Sequence, residues 1–393
     1  MKEKNYKLET KLIRAGLNRT QFNETSEPIF MTSSYVYDSP EQAEARFKGE
    51  DEGFIYSRYG NPTVKLFEDR LAAIEKGEKC FATSTGMAAV FASLMCILEQ
   101  GDKVVASRAL FGSCYQILTK ILPKYGIETI LVSGTNIEEW EEAIDDRTKA
   151  VFFETPSNPT LEIIDISAVC KIAKKHGAKV IIDNVFATPI LQHPLELGVD
   201  IVVYSSTKHI DGQGRALGGA IISDNEYYDK FLKPYMRHTG ASMSPFNAWV
   251  MLKGLETLKL RVEHQSDIAL RIANHLKKHP KISKVIYPAE QTHEQYELIN
   301  SQMSKGGTVL TMIIDGGKKE AFKLLNSLKI IDISNNLGDT KSLITHPATT
   351  THYSLGELGR KEAGIPDGMI RLSVGLENID DLIEDLEYSI NIF

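Results

Sequence analysis

The chain has 393 residues, of which 52 are acidic and 45 are basic, so its formal net charge is −7. This length allows two domains with a large buried core, and the acidic balance argues against a general nucleic-acid-binding protein, which would carry a basic face. No apolar run reaches the roughly 18 residues of a membrane span, and the charged first residues lack the apolar core of a secretory signal, so we expect neither a membrane nor a nucleic acid as a partner.

The first 60 residues contain few periodic elements. Tyrosine, serine and arginine cluster at their end, in the stretch YSRYGNPT at positions 56–63. A segment of this length without regular structure is uncommon inside a compact domain. We therefore predict that residues 1–60 form an extended arm that contacts a neighbouring subunit, and that the protein is a homo-oligomer.

Short apolar runs alternate with helical patterns from about residue 80 onward. The predicted strands are 80–84, 103–107, 128–133, 149–154, 179–183, 200–205 and 218–223. Strands that alternate with helices indicate an α/β fold with a mainly parallel sheet, here of seven strands, flanked by helices on both faces. Strands buried on both faces should be continuous apolar runs, as these are. We assign residues 61–255 to this larger domain.

The pattern changes near residue 260. A long amphipathic segment at 260–279 leads into a second set of elements, with predicted strands at 308–315 and 369–374. A helix is predicted at 319–328 and a last helix from about residue 379. We predict that residues 256–393 form a smaller α/β C-terminal domain.

The cysteines and histidines give no pattern typical of a metal site. The four cysteines are scattered without a CxxC pair, and we interpret them as reduced thiols of a cytoplasmic protein. His346 and His352 are the only suggestive histidine pair, and no cluster of carboxylates or thiols accompanies them. We therefore predict no metal.

Polar residues follow two of the predicted strands. Lys208 lies just past strand 200–205, and Asp183 is the last residue of strand 179–183. Ligands of open parallel sheets bind at the carboxyl ends of the strands. A lysine in a partly desolvated site loses its proton more readily and can form a Schiff base with an aldehyde. A carboxylate there can face a cationic ring nitrogen, which is the partner that pyridoxal phosphate requires.

Two further stretches complete this prediction. Gly86 opens a helix after strand 80–84, and helix N-termini bind phosphate through their free N–H groups. Ser205 and Thr207 could add hydroxyl donors to the phosphate. Asn158, in the loop ETPSNPT after another strand, could reach the phenolic oxygen of the cofactor. The convergence of an amine, an acid and a phosphate cradle predicts pyridoxal 5'-phosphate as the cofactor.

Each of these signals is weak when taken alone, and other interpretations stay open. A single lysine after a strand is usually a surface residue, and a glycine that opens a helix can serve packing only. GQGRALGG at 212–219 has the wrong spacing for a dinucleotide fingerprint and precedes a strand. A protein that binds the cofactor without turnover, or a structural or nucleotide-binding α/β protein, would be an alternative to an enzyme.

Five motifs together are similar to those of one known family. SSTKHIDGQGRALGG, ETPSNPT, YSRYGNPT, the DN pair at 183–184 and RLSVGLE at 371–377 resemble the Cys/Met-metabolism group of fold-type I pyridoxal phosphate enzymes. This group includes cystathionine γ-synthase, cystathionine and methionine γ-lyases, and the homoserine-ester sulfhydrylases. The resemblance extends from about residue 8 to the end of the chain. It implies a fold-type I transferase and, as quaternary structure, a tetramer built from two dimers that share active sites.

The resemblance implies a role for each matching residue. Lys208 would hold the cofactor covalently and later move protons, and Asp183 would pair with the ring nitrogen. The other implied cofactor-binding residues are Gly86, Met87, Ser205, Thr207, Asn158 and Phe111 of the same chain and Tyr56 and Arg58 of the neighbouring subunit. Arg371 would clamp the substrate α-carboxylate, a task that suits a bidentate guanidinium. Asn336 and Tyr56 would also contact the substrate.

The sequence departs from the common family pattern at the ring-stacking position. Phe111 stands where a tyrosine is usual, so it can stack on the ring but cannot exchange a proton. We still count it with Lys208 and Asp183 as a catalytic position. Ser113 stands where methionine-degrading lyases have a cysteine, and Asn336 stands where many relatives have a serine. Arg108 could contact a succinyl carboxylate, although a structural ion pair explains it equally well.

The resemblance therefore implies a γ-replacement reaction. Within the family, the stretches RALFGS, HIDGQGR and NNLGDTKSLITHPATTTH look most like the sulfhydrylases of O-succinylhomoserine. An O-acylhomoserine, most simply O-succinyl-L-homoserine, would react with sulfide to give homocysteine in methionine biosynthesis. The alternatives are an O-acetylhomoserine sulfhydrylase, a cystathionine γ-synthase that uses cysteine, and a methionine or cystathionine γ-lyase. The motifs do not choose the ester or the nucleophile.

Overall fold

The computed structural model of the chain describes residues 6–291 and 293–392. The strands, in chain order, are β1 Lys79–Thr83, β2 Lys103–Ser107, β3 Glu128–Val132, β4 Thr148–Glu154, β5 Lys179–Asp183, β6 Ile201–Tyr204, β7 Gly219–Ser223, β8 Ile282–Ile286, β9 Val309–Ile314, β10 Asp332–Ile333, β11 Leu343–Thr345 and β12 Met369–Ser373. The helices are α1 Leu8–Arg14, α2 Pro40–Lys48, α3 Pro62–Glu75, α4 Gly86–Met95, α5 Gly112–Gln116, α6 Ile137–Ala143, α7 Ile166–Lys175, α8 Thr188–Leu191, α9 Asn225–Tyr227, α10 Lys233–Thr239, α11 Pro245–Glu256, α12 Leu258–Leu276, α13 Tyr296–Gln302, α14 Lys318–Ser327, α15 Gly356–Glu362 and α16 Ile379–Asn391.

The larger sheet has seven strands in the order β1-β7-β6-β5-β4-β2-β3. The strands from β3 to β6 in this order pair in parallel, and β7 is antiparallel to both of its neighbours. The predicted mainly parallel seven-stranded α/β sheet is therefore confirmed. Because the parallel strands point the same way, their carboxyl ends lie at one edge of the sheet.

Both faces of this sheet are covered by helices, which explains its continuous apolar strands. Val151 and Phe153 of β4 pack into one apolar cluster, together with side chains of α3, α7 and α11. Phe152 packs into a second cluster with side chains of α4 and α5 on the other face. The alternation of side chains along the strand thus fills two cores.

The smaller sheet has five strands in the order β10-β11-β12-β9-β8. A third apolar cluster lies against it and contains Ile272 of α12, Leu324 of α14 and Leu386 of α16. The strands β9 and β12 and the helices α12, α14 and α16 lie where the sequence predicts them. The strands β8, β10 and β11 and the helices α13 and α15 were not predicted, because these strands are short or largely exposed.

The amino-terminal segment contains more regular structure than its sequence suggests. The helices α1 and α2 were not predicted, and the rest of the segment up to residue 60 is irregular. Glu27 anchors the segment, since its buried carboxylate pairs with Arg70 at 2.8 Å and with Lys253. The proposed contact of residues 1–60 with a neighbouring subunit remains a prediction, and so do the domain boundaries. Residues 1–5 and 393 lie outside the described part of the chain.

Within the described residues, no helix combines the length and the apolar character that crossing a bilayer requires. The carboxyl ends of the parallel strands form one edge of the larger sheet, and polar side chains converge at this edge.

Candidate active site

Three neighbouring parallel strands end in polar residues at this edge. Glu154 ends β4 and Asp183 ends β5, and the two residues are direct partners in the strand register. Lys208 follows β6 after a short turn in which its backbone N–H donates to the carbonyl of Ser205 at 3.1 Å. The sequence-predicted lysine and acid therefore lie in adjacent strand ends, with a second carboxyl that the sequence reading did not single out.

The amine of Lys208 is held in an enclosed position. Its Nζ donates to the amide oxygen Oδ1 of Asn336 at 2.7 Å. Burial, together with the nearby Arg371 cation, lowers the pKa of Lys208 to about 8, while the Asp183 carboxylate opposes this shift. With this pKa, roughly a tenth of the amine is neutral at pH 7, and the neutral amine is the form that attacks an aldehyde or takes a proton.

The carboxyl of Asp183 experiences opposing influences. Burial raises its pKa, while a hydrogen bond from the backbone N–H of Val185 at 3.1 Å and the nearby Lys208 cation favour the ionised form. Binding of a cationic ring nitrogen would favour that form further. The position therefore fits a carboxylate whose partner is a bound cation.

Glu154 is the functional candidate that sequence reasoning missed. Its side chain is buried and accepts the backbone N–H of Asn158 at 2.7 Å. Burial raises the pKa of Glu154, and the neighbouring Asp183 carboxylate raises it further. Two adjacent buried carboxyls do not both ionise readily. The same signal that marked Asp183, an acid at the end of an apolar strand, was present at Glu154.

The predicted phosphate cradle is formed by β6 and the start of α4. Thr85 caps α4 by accepting the N–H of Ala88 at 3.1 Å, so Gly86 is the first residue of the helix. A Cβ atom at Gly86 would lie 2.5 Å from the Cβ and 2.7 Å from the Cα of Ser205. Only glycine allows this close approach, which sets the Ser205 hydroxyl beside the free N–H groups of the helix.

The other two residues predicted for the phosphate lie close to this cradle. The hydroxyl of Thr207 donates to the carbonyl of Gly218 at 3.2 Å and accepts its N–H at 3.1 Å. Met87 is half-buried and packs against the apolar cluster that includes α4. Thr207 thus ties the Lys208 turn to the start of β7, while Met87 supports the helix.

Arg371 is buried on the central strand β12 of the smaller sheet. Its guanidinium donates to Asn158 Oδ1 at 3.0 Å and to the backbone carbonyls of Asn335 and Asn336 at 2.8 and 3.1 Å. Its Nε is buried without a partner. Burial lowers the pKa of Arg371 to about 10, so it remains a cation at neutral pH. Arg371 is therefore a buried residue, and its unpaired Nε fits a carboxylate ligand.

The structure does not bring Tyr56 and Arg58 to the Lys208 turn of their own chain. The Arg58 guanidinium lies 5.5 Å from the Tyr56 ring and 4.9 Å from the Tyr59 ring, and it donates to the carbonyl of Arg237. Tyr56 is 41% exposed. Their predicted contribution to a neighbouring subunit stays a prediction.

The remaining sequence candidates have simple environments. Phe111 lies immediately before α5 and is half-buried against the apolar cluster that includes α4. Arg108 is 42% exposed and lies 3.8 Å from a carboxylate oxygen of Glu139, which gives it the structural ion pair already considered. His346 and His352 bond to the carbonyls of Asp367 and Asn158 at 2.7 and 3.2 Å. The described residues contain no group of three or more side chains that could hold a metal.

The donor set of this site fits pyridoxal phosphate. It offers an amine with a lowered pKa for the aldehyde, an acid for the ring nitrogen and a glycine-opened helix with a hydroxyl for the phosphate. Phe111 offers an aromatic face, and the orphaned Nε of Arg371 offers a donor for a substrate carboxylate. Each of these groups belongs to an element whose position is fixed by one of the two sheets.

Comparisons with known proteins agree with this fit. The family model described as Cys/Met metabolism PLP-dependent enzyme matches residues 9–391. The chain is 54% identical to an O-succinylhomoserine sulfhydrylase of Mycobacterium tuberculosis, over 96% of this chain and 94% of the relative. It is 40% identical to an L-methionine gamma-lyase of Fusobacterium nucleatum subsp. polymorphum, over 98% of each chain.

A solved structure gives the same result for the fold. The crystal structure of a putative O-acetylhomoserine (thiol)-lyase from Campylobacter jejuni is 35% identical, with a TM-score of 0.94. The match covers 98% of this chain and 100% of that one, and that structure contains an N'-pyridoxyl-lysine-5'-monophosphate. The fold class expected from the motifs is thereby confirmed.

Proposed function

Because this chain belongs to the Cys/Met metabolism PLP-dependent enzyme family, we propose that it converts O-succinyl-L-homoserine and sulfide into homocysteine and succinate. The reaction breaks the C–O bond at Cγ of the substrate and forms a C–S bond at the same carbon, without net oxidation or reduction. The observation that carries the choice of ester is the similarity, over almost the whole chain, to the Mycobacterium tuberculosis relative named for this activity.

The cofactor would be held by residues at the carboxyl ends of β4, β5 and β6 and at the start of α4. Gly86, Ser205 and Thr207 would bind its phosphate, Asp183 its ring nitrogen and Asn158 its phenolic oxygen. Bound pyridoxal phosphate supplies an aldehyde that an amine can join and a cationic ring that draws electrons from the adjoining substrate carbon. Phe111 would cover one face of the ring and exclude water from it.

Lys208 moves the protons in this proposal. Its amine, with a pKa lowered to about 8, can accept a proton from the substrate Cα at neutral pH and return one later. The hydrogen bond from its Nζ to Asn336 Oδ1 gives the amine a defined position when it is not covalently engaged. Phe111 has no hydroxyl that could exchange a proton. Lys208 therefore carries out a larger share of the proton transfers than the lysine of relatives with a tyrosine at this position.

Arg371 orients the substrate. Its Nε is buried and free, and its other nitrogens already bond Asn158 and the carbonyls of Asn335 and Asn336. A substrate α-carboxylate at this Nε would have its charge paired in a buried place, which strengthens the interaction.

γ-Elimination from methionine is the second candidate function. The specific observation in its favour is the 40% identity with the Fusobacterium nucleatum L-methionine gamma-lyase over 98% of the chain. Ser113 stands where the motif comparison gives methionine-degrading lyases a cysteine, which favours the sulfhydrylase.

The test compares substrates on one purified protein. O-Succinyl-, O-acetyl- and O-phosphohomoserine are each offered with sulfide, and homocysteine formation gives kcat/KM for each ester. We expect the succinyl ester to exceed the others by about tenfold, a difference of about 1.4 kcal/mol in transition-state binding. Methionine alone, and the best ester with cysteine or water in place of sulfide, serve as the other arms. A higher kcat/KM with another ester, with cysteine or with methionine would replace the proposal by that activity.

A further inference from the structure

The backbone that follows Lys208 is held by a buried arginine of the long helix α12. The Nη1 of Arg261 donates to the carbonyl of His209 at 2.7 Å, and its Nη2 donates to the carbonyl of Gly254 at 2.8 Å and, at 3.4 Å, to that of Ile210. Its Nε donates to Thr257 Oγ1 at 3.2 Å. The guanidinium therefore donates to three backbone carbonyls and one hydroxyl, all of which are uncharged.

Burying the charge of this guanidinium without a carboxylate partner costs free energy. Arg261 is 5% exposed, and no carboxylate of the described residues lies within ion-pair distance of it. Burial lowers the pKa of Arg261 to about 10, so the side chain still carries its charge at neutral pH. A buried cation is tolerated when its hydrogen bonds are well formed, and three of them here end on the backbone next to Lys208 or on α11.

The chain is folded closely around this guanidinium. Gly212 has a φ of +67°, and a Cβ atom there would lie 2.0 Å from Nη1 of Arg261. The N–H of Gly212 donates to the carbonyl of Lys208 at 2.7 Å, which closes a turn over the same residues. Position 212 therefore has to be a glycine, because any side chain there would collide with the guanidinium of Arg261. Gly212 and Arg261 form one structural unit.

We infer that Arg261 is a positioning residue for Lys208: it fixes the carbonyls of His209 and Ile210 and thereby the path of the backbone that carries the amine. The inference rests on the proposed role of Lys208 as the lysine that holds the cofactor. A misplacement of about 1 Å in a reacting group can cost about a hundredfold in rate, so a rigid backbone here has a direct chemical value.

Other contacts of the same turn come from the same part of the chain. His209 Nε2 and Thr308 Oγ1 lie 2.7 Å apart, and the N–H of Thr340 donates to the carbonyl of Gly212 at 2.9 Å. Both partners belong to the segment that builds the five-stranded sheet. Arg261 adds a charged residue with several hydrogen bonds to these contacts. Together they link the Lys208 turn to the part of the chain that also contains Arg371 and Asn336.

The test measures how fast the cofactor joins Lys208. Apoenzyme of the wild type, Arg261→Ala and Arg261→Lys is mixed with pyridoxal phosphate, and the absorbance of the lysine–cofactor linkage is followed in time and as a function of pH. We expect Arg261→Ala to form the linkage at least about tenfold more slowly and with a shifted pH profile, with partial recovery in Arg261→Lys. Guanidinium chloride at a non-denaturing concentration should restore part of the rate in Arg261→Ala.

Lys103→Ala is the matched control. Lys103 is also a buried cation, and it holds the carbonyl of Ala143 at 2.7 Å, but it lies at the amino end of β2, at the opposite edge of the sheet. Its loss should lower stability without changing the rate or pH profile of linkage formation. Wild-type kinetics in a folded Arg261 variant would overturn the inference, as would an equal loss in Lys103→Ala. If the wild-type linkage maps to a lysine other than Lys208, the proposed function fails as well.

Discussion

At the scale of single residues, the site depends on how buried charges share their protons. Lys208, Asp183 and Glu154 lie at neighbouring strand ends, and burial shifts each of them toward its neutral form. The Lys208 cation favours ionised Asp183, whereas Glu154 borders Asp183 and is pushed toward protonation. We therefore expect Glu154 to be a neutral acid that holds the Asn158 loop, while Asp183 carries the charge that faces the cofactor.

Glu154→Gln tests this assignment through the pH dependence of stability. The folded-state pKa of Glu154 is raised above its ordinary value of 4.5, so the unfolded chain releases this proton first and wild-type stability falls as pH rises above 4.5. Glutamine has the same shape and needs no proton. The variant apoenzyme should gain about 1 kcal/mol or more over wild type between pH 5 and pH 8, as measured by thermal unfolding.

Glu154→Ala provides the control, because alanine cannot accept the N–H of Asn158. It should be destabilised at every pH and bind pyridoxal phosphate more weakly, whereas Glu154→Gln should keep its cofactor at neutral pH. A difference between Glu154→Gln and wild type that shrinks as pH rises would show that Glu154 is the ionised partner instead.

The sequence identified only some of these residues. Lys208 and Asp183 were found because each follows an apolar run, and Glu154 carries the same signal but was taken as part of a loop motif. The contact between Lys208 and Asn336 spans 128 positions of the chain, and that of Arg371 with Asn158 spans 213. Such contacts arise from the packing of the two sheets, which local spacing does not encode.

At the scale of elements, the phosphate cradle depends on the approach of α4 to the end of β6. Thr85 caps the helix, and Gly86 lets its first turn touch Ser205. A helix N-terminus and a strand-end hydroxyl together form an anion site only if the two backbones are this close. The geometry of the pair, rather than any single donor, provides the expected phosphate affinity.

Gly86→Ala should separate these two elements. The new methyl group would meet Ser205 at 2.5 Å, and overpacking of this kind costs about 1–3 kcal/mol. We expect the dissociation constant of pyridoxal phosphate, measured by quenching of protein fluorescence, to rise about tenfold or more. Gly317→Ala, where no atom lies within 4 Å of the added Cβ, should leave it unchanged. Equal affinity in the two variants would mean that the phosphate binds elsewhere.

The elements themselves were predictable where burial is simple. The seven strands of the larger sheet lie within about one residue of their predicted positions, because strands covered on both faces are continuous apolar runs. The strand β10 has two exposed residues, and β8 carries two exposed positions in five. These strands owe their pairing to β11 and β9, so their own sequences contain little strand signal.

At the scale of the whole molecule, the amino-terminal segment is anchored at several points, among them the buried Leu12 and Glu27, and carries exposed apolar side chains between them. Glu27 is buried between Arg70 and Lys253, and the indole N–H of Trp249 donates to its carbonyl at 2.9 Å. In contrast, Phe22 and Val36 of this segment are 80% and 93% exposed. Apolar side chains exposed in this way favour contact with a second copy of the chain, in line with the predicted oligomer.

Shared active sites can be tested by subunit complementation. If Arg58 serves the site of its neighbour, a mixed dimer of Lys208→Ala and Arg58→Ala subunits contains one intact site. Random mixing should then recover about a quarter of wild-type activity, well above either variant alone. Lys208→Ala mixed with Asp183→Ala is the control, because both defects belong to the same subunit's site and no intact site results. Recovery in the control pair, or none in the first pair, would contradict shared sites.

The most direct measurement is the position of the cofactor on the polypeptide. The protein loaded with pyridoxal phosphate is reduced with borohydride, digested, and examined by mass spectrometry for the modified lysine. We expect the added pyridoxyl group on Lys208 and its absence from that peptide in Lys208→Ala. A modified lysine elsewhere in the chain, with Lys208 unmodified, would contradict it.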